Sequence, residues 1–178
     1  MPLIYITGNS GAGKSTIRKE LQKRGYEAHD TDENGITCWY NKQTGKKVEK
    51  PPELKDRTQE WYTKHDWRVS RKRIEELVSR AKDRSVFLCG TTANENKVWD
   101  LFSTVIFLTI DIETLKHRLA TRTNNEFGKT SVELRNILSQ HKLSEEINRK
   151  FGAIMIDATQ SVPKVVDKLL DYAERRQD

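Results

Sequence analysis

Eight residues near the N-terminus, Gly8 to Ser15, constrain the fold of this chain more than any other segment. They read Gly-Asn-Ser-Gly-Ala-Gly-Lys-Ser and match the pattern GxxxxGK(S/T) at every fixed position. The apolar run Leu3 to Thr7 ahead of them predicts a buried strand. The residues that follow predict a helix, because Ile17 and Leu21 lie four apart on one face. A strand, this loop and a helix in succession indicate a phosphate-binding loop.

The chemistry of this loop predicts an ATP–Mg²⁺ site. Glycines let successive backbone N–H groups point inward, and the helix N-terminus adds positive partial charge. We expect Lys14 to reach the β- and γ-phosphates and the Ser15 hydroxyl to bind Mg²⁺. A glycine-rich turn with a solvent-facing lysine is the alternative, which the matching context disfavours. The residues predicted to bind ATP here are Gly8, Asn9, Ser10, Gly11, Ala12, Gly13, Lys14, Ser15 and Thr16.

Short apolar runs predict five core strands, at Leu3–Thr7, Tyr26–His29, Ser85–Gly90, Thr104–Ile110 and Ala153–Ile156. Helical patterns lie between and after them, at Gly13–Arg24, Glu60–Lys82, Glu113–Arg122, Val132–Lys150 and Pro163–Arg175. Strands that alternate with helices form a parallel sheet covered on both faces. We therefore predict one α/β domain over residues 1–178, a three-layer sandwich of the P-loop NTPase type with strand order 2-3-1-4-5.

Residues 33–67 interrupt this alternation. Thr37–Tyr40 faces Lys47–Val48 across a polar turn, which predicts a hairpin excursion on the substrate side. The segment also carries aromatic residues that either stack on a substrate ring or pack into a small satellite core, namely Trp39, Tyr40, Trp61, Tyr62 and Trp67. Candidates to anchor an acidic acceptor, or simply to face water, are Arg57, Arg68, Arg71 and Arg73.

The overall charge suits an anionic ligand. The net charge is +6 and the pI is near 9.3, but basic and acidic residues are interspersed, so a nucleic-acid partner is less favoured than a nucleotide. No run approaches the roughly 18 apolar residues that cross a bilayer, so we expect a cytoplasmic protein without a membrane partner. Cys38 and Cys89 lack metal-site spacing and predict free thiols.

The second predicted strand ends in Asp30-Thr31-Asp32, where a parallel strand delivers side chains to a ligand crevice. One carboxylate there can hold Mg²⁺ through water and the other can orient or deprotonate an acceptor hydroxyl. We assign the metal to Asp30 and the acceptor to Asp32. A turn or helix cap built from aspartates is the alternative.

Two further segments complete the predicted site. Arg118 and Arg122 share one helix face, and we expect them to clamp the transferring phosphoryl group at a lid over residues 118–130. The alternative for them is a solvated helix end. After the last strand, the backbone of Ala158, Thr159 and Gln160 is predicted to cradle adenine, or else to form a plain turn that Ser161 closes as a helix cap.

These pieces resemble the nucleoside monophosphate kinase and shikimate kinase group of P-loop kinases across most of the chain. Asp30-Thr31-Asp32 looks like the Asp-x-Asp of shikimate kinases, which serves Mg²⁺ and the acceptor hydroxyl. Arg118 and Arg122 look like the Arg-x-x-x-Arg of adenylate kinases, whose first arginine contacts the base and whose second contacts phosphates. Asp157-Ala158-Thr159 is similar to their adenine-contacting Asp-Gly-Thr.

The resemblance stops at the acceptor. Cys89-Gly90-Thr91-Thr92 has neither the Asp-Gly-Phe-Pro-Arg of adenylate kinases nor the triple glycine of shikimate kinases. The resemblance implies a small-molecule kinase, with a nucleoside or nucleoside monophosphate as first choice. A 5′-hydroxyl polynucleotide kinase is the enzyme alternative. A regulatory ATPase is a third possibility, but it usually carries an acid where a core strand ends, and the strands that end at Gly90 and Ile110 offer Asp111 alone.

Overall fold

A computed structural model describes residues 2–81, 84–123 and 127–174. Residues 124–126 of the predicted lid and the predicted helix ends at Lys82 and Arg175 lie outside this part of the chain. Within it the strands are β1 Leu3–Thr7, β2 Glu27–Asp30, β3 Thr37–Asn41, β4 Lys47–Val48, β5 His65–Val69, β6 Val86–Cys89, β7 Thr104–Thr109 and β8 Ile154–Asp157. The helices are α1 Lys14–Lys23, α2 Gln59–Lys64, α3 Arg71–Arg80, α4 Ile112–Thr121, α5 Ser131–Lys150 and α6 Val162–Glu174, with 3₁₀ turns at Leu54–Asp56, Glu95–Lys97 and Trp99–Leu101.

The main sheet is five-stranded and parallel, in the order β2-β6-β1-β7-β8. Counted along the core strands, this is the predicted order 2-3-1-4-5, so the predicted fold is confirmed. β1 lies at the centre, with Ile4 beside Phe87 on one side and beside Thr104 on the other. The phosphate loop that follows β1 is therefore flanked by the ends of β6 and β7.

Helices cover both faces of the sheet. Successive strand residues point to opposite faces, so both sets of side chains are buried. Ile4, Ile6 and Phe87 pack with apolar residues of α1, α4 and α6. Leu3 and Tyr5 pack on the other side with residues of α3. This arrangement explains why each central strand reads as a continuous apolar run rather than an alternating one.

A second, smaller sheet has the antiparallel order β4-β3-β5. The predicted hairpin of Thr37–Tyr40 with Lys47–Val48 is confirmed. The predicted helix Glu60–Lys82 is wrong, because α2 ends at Lys64 and β5 follows before α3 begins. The apolar stripe counted Val69, which pairs with Thr37, and Val78, which is exposed. Pairing with a strand about 30 residues away outweighs local helical periodicity here.

Across residues 2–81, 84–123 and 127–174, none of the helices is both long enough and apolar enough to cross a membrane.

Gly90, directly after β6, is held against the side chain of Thr31. A Cβ atom at Gly90 would overlap Oγ1, Cγ2 and Cβ of Thr31, which is buried. The absence of a side chain at Gly90 thus lets the end of β6 approach the end of β2, where the two aspartates lie.

Gly90→Ala should lower the free energy of unfolding by at least about 2 kcal/mol, because an added methyl group overpacks this contact. Chemical denaturation measures the change. Combining Gly90→Ala with Thr31→Gly removes the overlapping atoms, so the double variant should exceed the additive expectation by about 1 kcal/mol or more. If the changes in the free energy of unfolding were strictly additive, the contact between Gly90 and Thr31 would not be what excludes a side chain at position 90.

Candidate active site

A pocket of about 1050 Å³ opens at the carboxyl ends of β1, β2 and β6. Ligands of parallel α/β sheets bind at this edge. Its lining includes the predicted ATP-binding residues from Asn9 to Thr16 together with Asp30, Asp32, Arg118 and Arg122. The structure therefore brings the phosphate loop, both carboxylates and both arginines to one cavity.

The phosphate loop has a backbone that glycine suits best. Gly8, Gly11 and Gly13 have φ angles of 144°, 96° and 103°, in a region that side chains rarely adopt. A Cβ atom on Gly8 would also lie 2.9 Å from the carbonyl oxygen of Leu108. Gly13 precedes α1 and has no side chain to cap the helix, which leaves first-turn amides of α1 for phosphate oxygens.

Side chains from distant elements hold this loop in place. The Thr91 hydroxyl donates to the Gly8 carbonyl at 2.6 Å. The side-chain nitrogen of Asn9 lies 2.7 Å from Nδ1 of His141 in α5. Asn9 and His141 are both buried. The sequence motif does not specify either contact, since its middle positions accept any residue.

Lys14 lies under the loop, where its Nζ donates to the carbonyls of Gly8 at 2.5 Å and Asn9 at 3.0 Å. Burial lowers the pKa of Lys14 to about 8, while the charges of Glu95, Asp32 and Asp30 act in the opposite direction. Its ammonium group is thus surrounded by groups that favour the charged form.

Glu95 is a buried carboxylate that sequence reasoning missed. Its Oε1 accepts hydrogen bonds from the hydroxyls of Tyr5 at 2.8 Å and Thr7 at 2.9 Å, and from the Thr92 amide at 3.1 Å. Burial raises the pKa of Glu95, and burial together with Glu95 raises that of Tyr5. An acid therefore does lie where β1 ends, but the chain delivers it through a 3₁₀ turn after β6.

Asp30 and Asp32 sit side by side at the end of β2. Asp30 Oδ1 accepts from the Asp32 amide at 3.1 Å, and its Oδ2 lies 3.6 Å from Arg18 Nε. Burial raises the pKa of Asp30. Asp32 Oδ1 accepts from the indole N–H of Trp67 at 3.2 Å. The Glu33 amide also donates to the Asp30 carbonyl at 3.1 Å, so the aspartates do form a turn, but no described helix begins at them and both line the pocket.

Ser15 and Asp30 both line the pocket, and their oxygens suit Mg²⁺. Among the described residues, no group of three or more histidines, cysteines, aspartates or glutamates could hold a metal ion. A hydroxyl and one carboxylate nevertheless fit Mg²⁺, because this ion usually keeps several waters and binds substrate phosphates rather than a complete protein cage.

Two arginines, Arg118 in α4 and Arg122 directly after it, reach the phosphate loop from its other side. Arg122 has an extended backbone, with φ −65° and ψ 142°, so the expectation that the two arginines share one helix face is wrong. Arg118 donates to the carbonyls of Ala12 at 3.3 Å and Ala158 at 2.9 Å, so it joins the loop to the predicted adenine turn. Both terminal nitrogens of Arg122 lie 3.2 Å from Ser10 Oγ, and one donates to the Phe127 carbonyl. Burial lowers the pKa of Arg122.

The predicted adenine turn is only partly at the pocket. Ala158 and Gln160 line it. Thr159 is exposed, and its hydroxyl donates to Asp157 Oδ1 at 2.7 Å. The Thr159 hydroxyl is therefore committed to the turn itself.

The insertion places two of its aromatic residues at the pocket and packs Trp61 and Tyr62 against one of them, while the Tyr40 ring lies 5.9 Å from the Arg68 guanidinium. Trp39 and Trp67 line the pocket with ring centroids 5.3 Å apart. Trp61 and Tyr62 lie 4.7 and 5.8 Å from Trp39. Packing into a small cluster is therefore confirmed for Trp39, Trp61, Tyr62 and Trp67, whereas stacking on a substrate ring stays a prediction for the two that line the pocket.

None of the four candidate arginines of the acceptor side is among the residues that line the described pocket. Arg57 donates to the carbonyls of Pro51 and Pro52, and the remaining three pair with carboxylates, Arg68 with Asp66, Arg71 with Asp100 and Glu75, and Arg73 with Glu76. Each of the four thus contacts a carboxylate or carbonyl group outside the pocket lining, and an anchoring role for them stays an untested prediction.

Lys50 lines the pocket, although no motif marks it. Its Nζ lies 5.0 Å from the Phe127 ring centroid, 6.0 Å from that of Trp39 and 3.6 Å from Glu133 Oε1. Glu133 is buried and accepts from the Tyr62 hydroxyl at 2.5 Å and the Gly128 amide at 2.9 Å. Burial alone would raise the pKa of Glu133, but these hydrogen bonds and the charge of Lys50 outweigh it and lower the pKa.

Three solved structures have folds similar to this one. A shikimate kinase from Acinetobacter baumannii in complex with shikimate has a TM-score of 0.62 and 19% identity, and the match covers 98% of this chain and 94% of that one. A gluconokinase from Sinorhizobium meliloti 1021 has a TM-score of 0.56 and 18% identity, and the match covers 98% of this chain and 92% of that one. A deoxyadenosine kinase from M. mycoides with bound dATP has a TM-score of 0.52 and 18% identity, and the match covers 98% of this chain and 100% of that one. The likeness establishes a shared P-loop kinase fold.

No curated protein matches the sequence. One family, described as an AAA domain, matches residues 4–150, a range that runs from β1 to the end of α5 and contains the phosphate loop, both aspartates and both arginines. The match spans most of the sequence, and the chain therefore belongs to this AAA domain family.

Proposed function

We propose that this chain is an ATP-dependent kinase that transfers the γ-phosphoryl group to a small acceptor, with a nucleoside or nucleoside monophosphate as first choice. The observation that carries the proposal is the convergence of Lys14, Asp32, Arg118 and Arg122 on one pocket. A hydrolase needs no acceptor site, whereas this pocket extends past Asp32 to an aromatic wall. A kinase of this kind would work in the cytoplasm with ATP–Mg²⁺.

Positioning and charge stabilisation supply most of the rate in phosphoryl transfer. The α1 N-terminus and Lys14 would bind the phosphates, while Arg118 and Arg122 offset charge on the transferring group. Ser15 and Asp30 would hold Mg²⁺, which would supply positive charge beside the phosphates. Ala158 and Gln160 would lie along the adenine ring.

Asp32 is proposed to orient the acceptor hydroxyl and accept its proton. Its Oδ1 already accepts from the Trp67 indole, which fixes the carboxylate and leaves Oδ2 for the acceptor. Asp30, two residues before Asp32 in the same turn, has a different partner in Arg18. The two aspartates are thus suited to separate tasks.

Lys14→Ala should reduce phosphoryl transfer by at least about a hundredfold and leave the fold intact, because it removes one charge that stabilises the transition state. Coupled measurement of ADP release and thermal unfolding test both parts. Lys19→Ala, on the exposed face of α1, is the matched control and should retain activity. Full transfer by Lys14→Ala would refute the proposed function.

Asp32→Asn should lower kcat about a hundredfold or more while the KM for ATP changes little, since the amide cannot accept the proton. Steady-state kinetics at saturating ATP measure the effect. Glu33→Gln is the control, because Glu33 is an exposed neighbour that pairs with Arg18. An Asp32→Asn variant with unchanged kcat would exclude Asp32 as the base.

Affinity for ATP should fall as the pH rises above about 8, because the Lys14 pKa lies at about 8 and the neutral amine attracts phosphates weakly. The loss approaches about tenfold per pH unit for one titrating group. Calorimetric titration of ATP–Mg²⁺ from neutral to alkaline pH measures it. Lys14→Arg stays charged and should show a nearly flat profile. A constant affinity in the unmodified chain would contradict the assignment.

A further inference from the structure

We propose that the acceptor is a nucleoside, an uncharged molecule whose planar base stacks on Trp39 and Trp67 and whose hydroxyl reaches Asp32. The proposal rests on the proposed kinase function and decides between the two acceptor classes that it leaves open. It is carried by the shape and the charge of the pocket wall opposite the phosphate loop.

Trp39 and Trp67 form a rigid aromatic wall beside the proposed base. Their rings meet at 47° with centroids 5.3 Å apart. Trp61 packs edge-on against Trp39 at 4.7 Å, and the Trp67 indole donates to Asp32. The rings are therefore fixed before any ligand arrives, and stacking on such rings commonly changes affinity for a base by about tenfold or more.

The same wall offers poor compensation for a negatively charged acceptor. Among the described residues, the cations that line the pocket are Lys14, Lys50, Arg118 and Arg122. Lys14, Arg118 and Arg122 all contact the phosphate loop, which assigns them to ATP. Lys50 alone remains for the acceptor side.

Lys50 is already partnered. Its ammonium group lies 3.6 Å from the buried Glu133 and within 5.0 to 6.0 Å of the ring centroids of Phe127, Tyr62 and Trp39. Lys129 donates to the Ala120 carbonyl. A phosphate of charge about −2 on the acceptor would therefore be repelled by Asp30 and Asp32. Its counterion would be Lys50, but the charge of Lys50 is already neutralised by Glu133.

The placement of Asp32 also favours a hydroxyl acceptor. A hydroxyl must lose a proton as it attacks, and a carboxylate within reach can accept it. A monophosphate is already ionised at neutral pH and needs cations rather than a base. Two carboxylates and an aromatic wall together match a neutral ring that bears a hydroxyl.

The test compares acceptors with the full chain and ATP–Mg²⁺. The panel holds nucleosides, their 5′-monophosphates, a ring-free polyol, a hydroxy acid and an oligonucleotide with a free 5′-hydroxyl. At least one nucleoside should be phosphorylated with kcat/KM about tenfold or more above its monophosphate and above the ring-free compounds. Preferred transfer to a monophosphate, an acid or an oligonucleotide would overturn this inference and leave the kinase standing. Transfer to none of them would overturn both.

Variants of the wall provide an independent readout. Trp39→Leu should raise the KM for the nucleoside about tenfold or more and leave the KM for ATP unchanged, because the Trp39 ring belongs to the acceptor side of the pocket. Trp99→Leu is the matched control, since Trp99 packs on Phe151 with centroids 5.4 Å apart and does not contribute to the described pocket lining. An unchanged nucleoside KM in Trp39→Leu would overturn the stacking role.

Trp67→Phe keeps a ring but removes the N–H that fixes Asp32. It should lower kcat more than it raises the nucleoside KM, which separates positioning from stacking. Quenching of tryptophan fluorescence by a nucleoside reports binding to the unmodified chain without turnover. No quenching by any nucleoside at concentrations that saturate turnover would contradict the wall as the binding surface.

Discussion

The close packing of a glycine-rich loop between the end of β1 and helix α4 is the constraint on which the site depends. A Cβ atom on Gly11 would lie 3.0 Å from Leu115 Cδ1, so α4 can approach the loop this closely because that position has no side chain. Arg118 lies three residues after Leu115 in α4, Arg122 directly follows the end of that helix, and both reach the loop. One packing contact therefore sets the phosphate amides and the two guanidiniums together.

Charge is divided within the pocket in a way that suits transfer between two ligands. The phosphate end carries the α1 N-terminus, Arg118 and Arg122, whereas the end beyond β2 carries Asp30 and Asp32. Lys14 lies between them and interacts with both aspartates and with Glu95. Those acids counter the effect of burial, so a buried ammonium group can stay charged near neutral pH.

Sequence patterns predicted the parts of the molecule that local rules govern. The core strands followed from short runs around the motif Gly8 to Ser15, and the central strands β1, β6 and β7 read as apolar runs because they are buried on both faces. β5 was missed because its partner β3 is distant in sequence. Glu95 and Lys50 were missed for a related reason. Each reaches the site because the chain turns back after a strand, and the spacing of residues in the sequence does not predict where such a turn leads. The pairing of Arg71 with Asp100 was not predicted, because the two residues are about 30 positions apart in the sequence.

The carboxylate of Glu133 joins the two halves of the site. It accepts from Tyr62 and pairs with Lys50, which both belong to the insertion, and it accepts from the Gly128 amide within the predicted lid. The adjacent carbonyl of Phe127 accepts from Arg122, which also contacts Ser10 of the phosphate loop. A continuous set of contacts thus runs from the aromatic wall to the phosphate loop. Because Glu133 is buried and hydrogen-bonded on both oxygens, the position of the wall and the position of Arg122 depend on the same anchor.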